Sequence, residues 1–523
     1  MNKATLSRGI RDRIAGPAEA PPERARRQKS NPPVIRPEVM GTKHADYFQI
    51  PAAVWNHFVS GWAEAFRAAV ATLANAFKDG VEEAIGRLLD EGIPAMAYEM
   101  GRGCMESALL HTRGFLGSTI NCHQCTGLLK YERDEDKTFM TRLGLISFKR
   151  AYYLGDCGHS AHPADSLLGL DSGHKILPEL QELIARFCAQ MPYDKAAKLM
   201  SSLLPAKCSH TTAERVTETV ATQLQVHQEA ECRRAFGKDD KHEFPVVEPV
   251  PAAPVAVVSA DGGFCAVRDH SEKSKQFMVG VLGTLDPKPF TTWNDREVDL
   301  KSKRFVATAA GGIDPFYDLL GVEFHRMGLD RFPLLQIIGD GSESILPRLK
   351  LLASLDQEVF EMLDFFHASE YVATASKLIF RPDSSEQQSW YSDMNGNLLE
   401  GRLPAFFSEL RTRQKAAAEN GPSDVAEQLQ GIHDYFDRRR HMLRYKEAIQ
   451  RGLLIGSGVI EGGVRFVGKD RLDLTGVRWN VEGADSVIRL RAVDASNRWD
   501  EFCKRQARDR TDTYRELRAK WAA

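Results

Sequence analysis

Apolar residues recur at spacings of three and four along the first third of the chain, at Trp55, Phe58, Val59, Trp62, Phe66, Val70, Leu73 and Phe77 and again from Val81 to Leu89. That period predicts a helical hairpin between Ala52 and about His111, with the aromatic stripe as its core and a role in oligomerisation as one use for it. The period then drops to two. Thr138–Leu143 and Leu145–Tyr153 read as strands hinged at Gly144. Three helices are predicted next, over Leu177–Cys188, Asp194–Leu203 and Thr211–Gln225, the last preceded by the capping stretch Ser209-His210-Thr211-Thr212. A Pro-rich segment from Phe244 to Pro254 reads as a linker. Beyond it, strand-like runs at 255–260, 276–283 and 303–309 lead to a helix near 314–327, a strand at 333–339, a helix at 343–354, a strand from Glu358 to Phe366 and a helix from His367. Residues 368–452 are patterned as helices throughout, with Phe406, Phe407, Leu410, Leu429, Ile432, Tyr435 and Leu443 as core candidates.

At 523 residues the chain is too long for one core, and its length fits roughly three or four domains. A hydrophobic content of 43% makes it globular, and a net charge of −2 means that any polyanion-binding surface is local. The first 36 residues are such a place, with nine Lys or Arg against Asp12, Glu19 and Glu23 and no apolar period. They read as a disordered basic arm or as an ordinary solvated tail. No apolar run reaches the roughly 18 residues of a membrane span, and the start MNKATLSRGIRDR lacks the apolar centre of a secretory signal, so a cytoplasmic protein is expected. Nine cysteines, odd in number and sparse, argue against a disulfide framework.

Three acidic residues sit where carboxylates can converge. Asp261 ends the run Val255–Ala260 and precedes Gly262-Gly263, Asp340 ends Leu334–Gly339 and precedes Gly341, and Glu461 follows Gly456-Ser457-Gly458 at the opening of a helical stretch. Two aspartates at strand ends and a glutamate on a helix suit one or two hard divalent cations, the arrangement used for in-line attack on phosphodiesters. An Asp-Gly pair is also an ordinary turn signal, so their joint occurrence carries the weight. Glu461, Arg465 and Lys469 share a helical face if the helix is regular, either as a surface ion-pair ladder or as a metal ligand followed by phosphate contacts. Asp364 and His367, three apart at a strand-helix junction, read as a cap with a satisfied histidine or as a pair that orients the metal site or a DNA end. Arg478-Trp479 offers a cation and a stacking plane for an unpaired base, or a packing anchor.

Cys122-His123-Gln124-Cys125, the hairpin and Cys157-Gly158-His159 together describe a zinc-ribbon-like module. Cys122, Cys125 and Cys157 would be ligands, and His159 is preferred over His162 as the fourth; a decayed, metal-free ribbon is the alternative. The three helices after it resemble a helix-turn-helix, although three-helix packing without a DNA role is as common.

Consecutive strands followed by strand-helix alternation, with acids at strand ends, fit a ribonuclease H-like mixed sheet. At these residues the chain resembles the DDE transposases of bacterial insertion sequences, in particular the ISKra-type group. The likeness lies in IGSGVIEGGVRFVGKDRLDLTGVRW (455–479), VEGADSVIRLRAV (481–493), RWDEF (498–502), IIGDGSESI (337–345) and LDFFHASEY (363–371), and in the ribbon segments CHQC, RLGLISFKRAYYLGDCGH and LLGL. It covers about residues 50–505, with one cysteine of the ribbon pattern missing and a less typical approach to Asp261. The resemblance implies Asp261, Asp340 and Glu461 as the metal-binding triad.

The expected architecture is a multidomain α+β protein. It comprises a basic arm (1–45), a helical domain (46–118), a zinc-ribbon-like module (119–170), a helix-turn-helix-like region (171–235) and a linker (236–254). A ribonuclease H-like core follows (255–367), interrupted by a helical insertion (368–452) and completed by the Glu helix and C-terminal helices (453–523). The expected activity is metal-dependent cleavage and strand transfer of DNA at terminal inverted repeats, with Mg2+ or Mn2+ at the carboxylates and Zn2+ in the ribbon. Double-stranded DNA and further copies of the chain would be the partners, with no membrane, in a nucleoid-associated cytoplasmic protein. A non-catalytic DNA-binding regulator derived from a transposase and a structure-selective nuclease of the same fold are the rivals.

Overall fold

The computed structural model describes residues 92–523 and the isolated Ala63, Arg67 and Ala71, except for 110–111, 172–174, 238–241, 250–253, 269–272, 289–299 and the single residues Gly311, Gly421, Ser457 and Ala523. The basic arm and the aromatic stripe from Trp55 to Phe77 therefore lie outside the described residues, and of the expected hairpin between Ala52 and about His111 the continuous described part begins at residue 92. What is described is mixed α and β with two sheets, and it falls into two compact units. One ends at Val220 and regains the chain from Trp499; the other runs from Ala221 to Arg498.

In the first unit, helix α1 (Ile93–Leu109) precedes a four-stranded antiparallel sheet, β1 (Thr119–Asn121), β2 (Leu128–Thr141), β3 (Gly144–Gly155) and β4 (Ser160–Ala161), ordered as in sequence. The β2–β3 turn closes at Gly144, whose φ of 100° is open to glycine, and Thr141 Oγ1 accepts the Leu143 N–H at 3.0 Å. Alternation along the hairpin buries Phe139, Ile146 and Phe148 with Leu109, Ala164 and Leu170 in one cluster. A second cluster holds Ile120, Leu129, Ala151 and Tyr153 around Trp521. Trp521 belongs to the terminal helix Trp499–Ala522, which the sequence reading assigned to the second half of the catalytic core; it completes the ribbon's core instead. A small hairpin cannot bury enough apolar surface alone, and a distant helix supplies it.

Helices α2 (Pro163–Leu168), α3 (Pro178–Gln190), α4 (Tyr193–Leu203) and α5 (His210–Phe236) follow. Ser209 caps α5, its Oγ accepting the Thr212 N–H at 3.1 Å. The helix runs eleven residues past the expected Gln225, to Phe236. Its later turns are polar, so the apolar period fades, and the anchors are tertiary: Gln228 Oε1 receives Arg489 at 2.8 Å and Glu231 receives Arg326 at 2.7 Å.

The second unit is built on a five-stranded sheet ordered β7-β6-β5-β8-β9, with β5 (Val255–Ala266), β6 (Ser274–Leu285), β7 (Lys301–Thr308), β8 (Leu334–Gly339) and β9 (Glu358–Leu363). Strands β5, β6 and β7 are antiparallel, and β5, β8 and β9 are parallel. Every residue of β8 is buried, as expected of a parallel strand covered on both faces. Helix α6 (Ile313–Arg326) covers one face, with Phe316 and Leu320 set against the bare backbone of Gly280. The predicted helix at 343–354 shrinks to α7 (Leu346–Lys350), because the residues after Asp340 form turns and Pro347 starts the helix late. The predicted strand to Phe366 stops at Leu363, where Asp364 caps the next helix.

Helices α8 (Phe365–Ile379), α9 (Ser385–Leu399), α10 (Leu403–Asn420), α11 (Ser423–Arg438) and α12 (Tyr445–Gln450) form the helical block, with Phe406 and Phe436 fully buried within it. The chain then returns to the sheet as α13 (Gly458–Gly463) and ends the unit with α14 (Val481–Ala495). The Pro-rich segment read as a linker is partly tied down: Glu248 pairs with Arg304 and Arg498, and both arginines also pair with Glu323. No helix among the described residues is long and apolar enough to cross a membrane.

Candidate functional site

In the first unit, the ribbon brings Cys122, Cys125, Cys157 and His159 together, with their ligand atoms all within 4.8 Å of one another. The Cys122–Cys125 turn is closed by the Cys122 N–H on the Gly127 carbonyl at 2.8 Å, and the Gln124 and Gly127 N–H groups point at the Cys122 and Cys125 sulfurs at 3.4 Å. Glycine is required at two places beside these sulfurs. A Cβ on Gly127 would stand 3.3 Å from Cys125 Sγ, and one on Gly155 would stand 2.9 Å from Cys157 Sγ. Burial pushes the Cys122 thiol up, but the Gln124 N–H, Cys125 and His159 outweigh it and draw the thiol down to about 7. Three cysteines and an imidazole in this arrangement can hold a metal ion of the kind that thiolates favour. His162 is not part of the group: its Nε2 lies 3.1 Å from Glu135 and its ring stacks on Tyr152.

The second unit holds the carboxylates. Residues paired across antiparallel strands share a sheet face, so Asp261, opposite Val279, which is opposite Ala307, projects from the face opposite to α6. That face carries α13 and the turn that continues it. A Cβ on Gly463 would lie 2.8 Å from the Phe305 ring and one on Gly468 would lie 2.3 Å from Phe277. The glycines of this segment let the backbone lie flush on the sheet beside Asp261, which explains a spacing that the sequence alone left as a motif.

Asp261 does not end its strand as expected: pairing with β6 continues through Gly262-Gly263 to Ala266, so it lies within β5. It is half-buried, and its Oδ1 accepts the Gly262 N–H at 2.7 Å. Burial pushes its carboxyl up, against the Gly262 N–H; the Asp340 carboxylate pushes it further, while Lys469 and His367 pull it down. Asp340, Lys469 and His367 thus lie within electrostatic reach of Asp261. Asp340 follows β8, its Oδ1 accepting the Ser342 N–H at 2.8 Å across Gly341, whose φ is 80°. Glu461 is exposed on α13, which packs against β5 and β6. Among the described residues the three carboxylates do not form a group with ligand atoms within 4.8 Å, as the cysteines and His159 do. Two acids on neighbouring strands, one half-buried and raised by that burial and by the other's charge, are a donor set that a hard divalent cation would relieve.

The expected ladder of Glu461, Arg465 and Lys469 is corrected by a π-helical segment, Val464–Lys469. Its i→i+5 hydrogen bonds change the angular step, so residues four apart no longer stack. Arg465 turns to Asp470 at 3.5 Å, whereas Lys469 acts on Asp261. Asp364 is buried and caps α8, accepting the His367 N–H at 2.8 Å, and the half-buried His367 ring lies 4.0 Å from Glu370. Trp479 is only 5% exposed, with Nε1 on the Leu472 carbonyl at 3.1 Å and Arg471 over its ring at 4.7 Å. It anchors packing and does not present a stacking plane to solvent; Arg478 beside it is exposed, its carbonyl receiving Arg268.

Residues missed in the sequence hold this site. Buried Arg491 of α14 donates to the Val467 carbonyl at 2.9 Å and to that of Phe466, gripping the π turn. Burial and neighbouring Arg471 bring its guanidinium down to about 10. Asp485, also on α14, accepts the Ala309 and Ala310 N–H groups at 2.6 and 3.0 Å and pairs with Arg489. Charged residues at four-residue spacing read as a solvated face, and no local signal separates them from one. Compared with protein-family models and with curated proteins, the chain has no match.

Proposed function

We propose that this chain is a DDE transposase: it binds the ends of a mobile DNA element and cuts and joins DNA strands with Asp261, Asp340 and Glu461. The observation that carries the reading is the placement of Asp261 on the central strand and Asp340 at the end of its parallel neighbour, close enough for one carboxylate to raise the other, with the Glu461 helix lying flush on the same face. The strand order, three antiparallel strands extended by two parallel ones, supports reading the sheet as ribonuclease H-like and the helices from α8 to α12 as an insertion in it.

Asp261, Asp340 and Glu461 would hold magnesium or manganese, which when bound would supply the positive charge needed to activate a water or a DNA 3′-hydroxyl and to stabilise the leaving oxygen. Lys469 and His367 draw the Asp261 carboxyl down, and Arg465 and Arg478, both exposed, would contact DNA phosphates. Cys122, Cys125, Cys157 and His159 would hold zinc, which when bound would stiffen the ribbon, and the ribbon with α3 to α5 would hold the DNA ends. The chain works as a homo-oligomer on DNA.

DNA flanking the gene, searched for short inverted repeats, is the substrate to use. Asp261→Asn, Asp340→Asn and Glu461→Gln should each still shift it in a gel and lose magnesium-dependent nicking, because an amide keeps the shape and loses the charge. A variant that nicks like the parent removes its residue from the triad; Asp314 or Asp269, the latter outside the described residues, would then replace Asp261, and Glu343 would replace Asp340. Joining of cut ends to a second DNA separates a transposase from a nuclease of the same fold, and cleavage of any kind separates both from a DNA-binding regulator.

A further inference from the structure

The helical insertion takes hold of the loop that carries Asp340. Tyr435, on α11, donates its hydroxyl to the Asp340 carbonyl at 2.8 Å, and Arg439, immediately after that helix, donates Nε to the Gly341 carbonyl at 2.9 Å. The two grips are coupled, since the Arg439 guanidinium lies 4.2 Å over the Tyr435 ring. The other side of that ring is stacked on Tyr371 of α8 at 3.9 Å and 12°. Gly341 is what admits the arginine: a Cβ there would stand 2.3 Å from Arg439 Nε, and the φ of 80° is one a side chain would strain.

We infer that Tyr435 and Arg439 are positioning residues, by which the insertion sets the direction of the Asp340 carboxylate and so the affinity of the site for its divalent cation. The inference rests on Asp340 being a metal ligand. Two successive backbone carbonyls, that of the Asp340–Gly341 peptide and that of the next, are fixed from outside the sheet. The carboxylate is in turn tied to the Ser342 N–H, so the side chain has little freedom that the insertion does not control. Partners that orient a ligand without touching the metal govern binding strongly, with losses of about 10- to 100-fold when they are removed. The same contacts make the insertion able to tune the site, because a shift of α11 reaches Asp340 through two hydrogen bonds.

The test is Mn2+ binding by calorimetry to the full chain, with zinc already loaded in the ribbon, compared among the parent, Asp340→Asn, Tyr435→Phe and Arg439→Lys. Tyr435→Phe keeps the ring stack and loses only the hydroxyl, and Arg439→Lys keeps the charge and loses the planar contact. Both should weaken Mn2+ binding by about tenfold with an unchanged melting temperature, and nicking should recover at high Mn2+, so the loss falls on the metal requirement and not on the maximal rate. If Asp340→Asn leaves Mn2+ binding as it was, the reading of Asp340 as a ligand fails. If Asp340→Asn abolishes binding while Tyr435→Phe and Arg439→Lys bind like the parent, or weaken only in step with melting, the positioning role is overturned and the metal site stands.

Discussion

Gly468→Ala puts the packing of the Glu461 segment to a test of sign. Alanine in place of glycine inside a helix ordinarily stabilises by about 0.5–1 kcal/mol, because it restricts the unfolded chain. Here the added Cβ would stand 2.3 Å from Phe277 Cε2 and 2.6 Å from Cζ, well inside the roughly 3.5 Å of ordinary carbon contact. Phe277 is fully buried and cannot swing aside. Overpacking of this kind costs about 1–3 kcal/mol, and so deep an overlap belongs at the upper end, leaving a net loss of about 2 kcal/mol. Gly462 is the internal control: it lies in α13, close in sequence, and a Cβ there would meet nothing within 4 Å, so Gly462→Ala should gain about 0.5–1 kcal/mol. Urea denaturation followed by tryptophan fluorescence gives both values from the midpoints. If relaxation moves the π turn away from the sheet, Lys469 and Glu461 move with it, and Gly468→Ala should also lose nicking that Gly462→Ala keeps. Equal stabilisation by the two substitutions would show that the segment does not lie flush on the sheet and would remove the geometric support for placing Glu461 beside Asp261.

Freshly purified protein should contain about one zinc per chain, and Cys157→Ser should lose it; less than about 0.2 per chain in chelator-free preparations would leave the ribbon metal-free. Glu231 is held by His227 and Arg326, whose charges overcome burial and bring its carboxyl from 4.5 down to about 2. Its folded value lies below its unfolded one, so its contribution is complete above about pH 4.5 and is lost as pH falls toward 2. Glu231→Gln should therefore lower the melting temperature at pH 7 and flatten the acid side of the stability profile, and parallel profiles for the two proteins would refute the pairing. Trp479→Ala should cost about 3–5 kcal/mol as a buried anchor, measured by denaturation, and a variant of parental stability that binds single-stranded DNA less well would restore the stacking role.

Much of the second unit was legible because its strands carry apolar runs, and β8 is closed by the turn after Asp340. The runs before Asp261 and Asp340 read correctly as buried strands; the second ends at Gly339 as expected, whereas the first continues six residues past the expected 260, to Ala266. The ribbon was legible for a related reason: cysteine spacing and a glycine hinge are local, and so was the choice between His159 and His162 once the turn at Gly158 closed. Helix lengths were less secure where apolar period gives way to ion pairs, as in the last turns of α5.

What the local pattern could not decide was anything carried by contacts distant in the chain. The regular period from Glu461 to Lys469 predicted one face, and only the grip of Arg491, 24 residues beyond Val467, accompanies the π turn that breaks it. The terminal helix closes the ribbon's core because Trp521 finds Ile120 and Tyr153 there, and Tyr435 reads as one more apolar helix position until its hydroxyl is seen on the Asp340 carbonyl, 95 residues away. Periodicity, turns and ligand spacing are properties of neighbouring residues and are written in their order. The direction of a side chain at a shared site depends on which elements pack against it, and that was settled only in the folded chain.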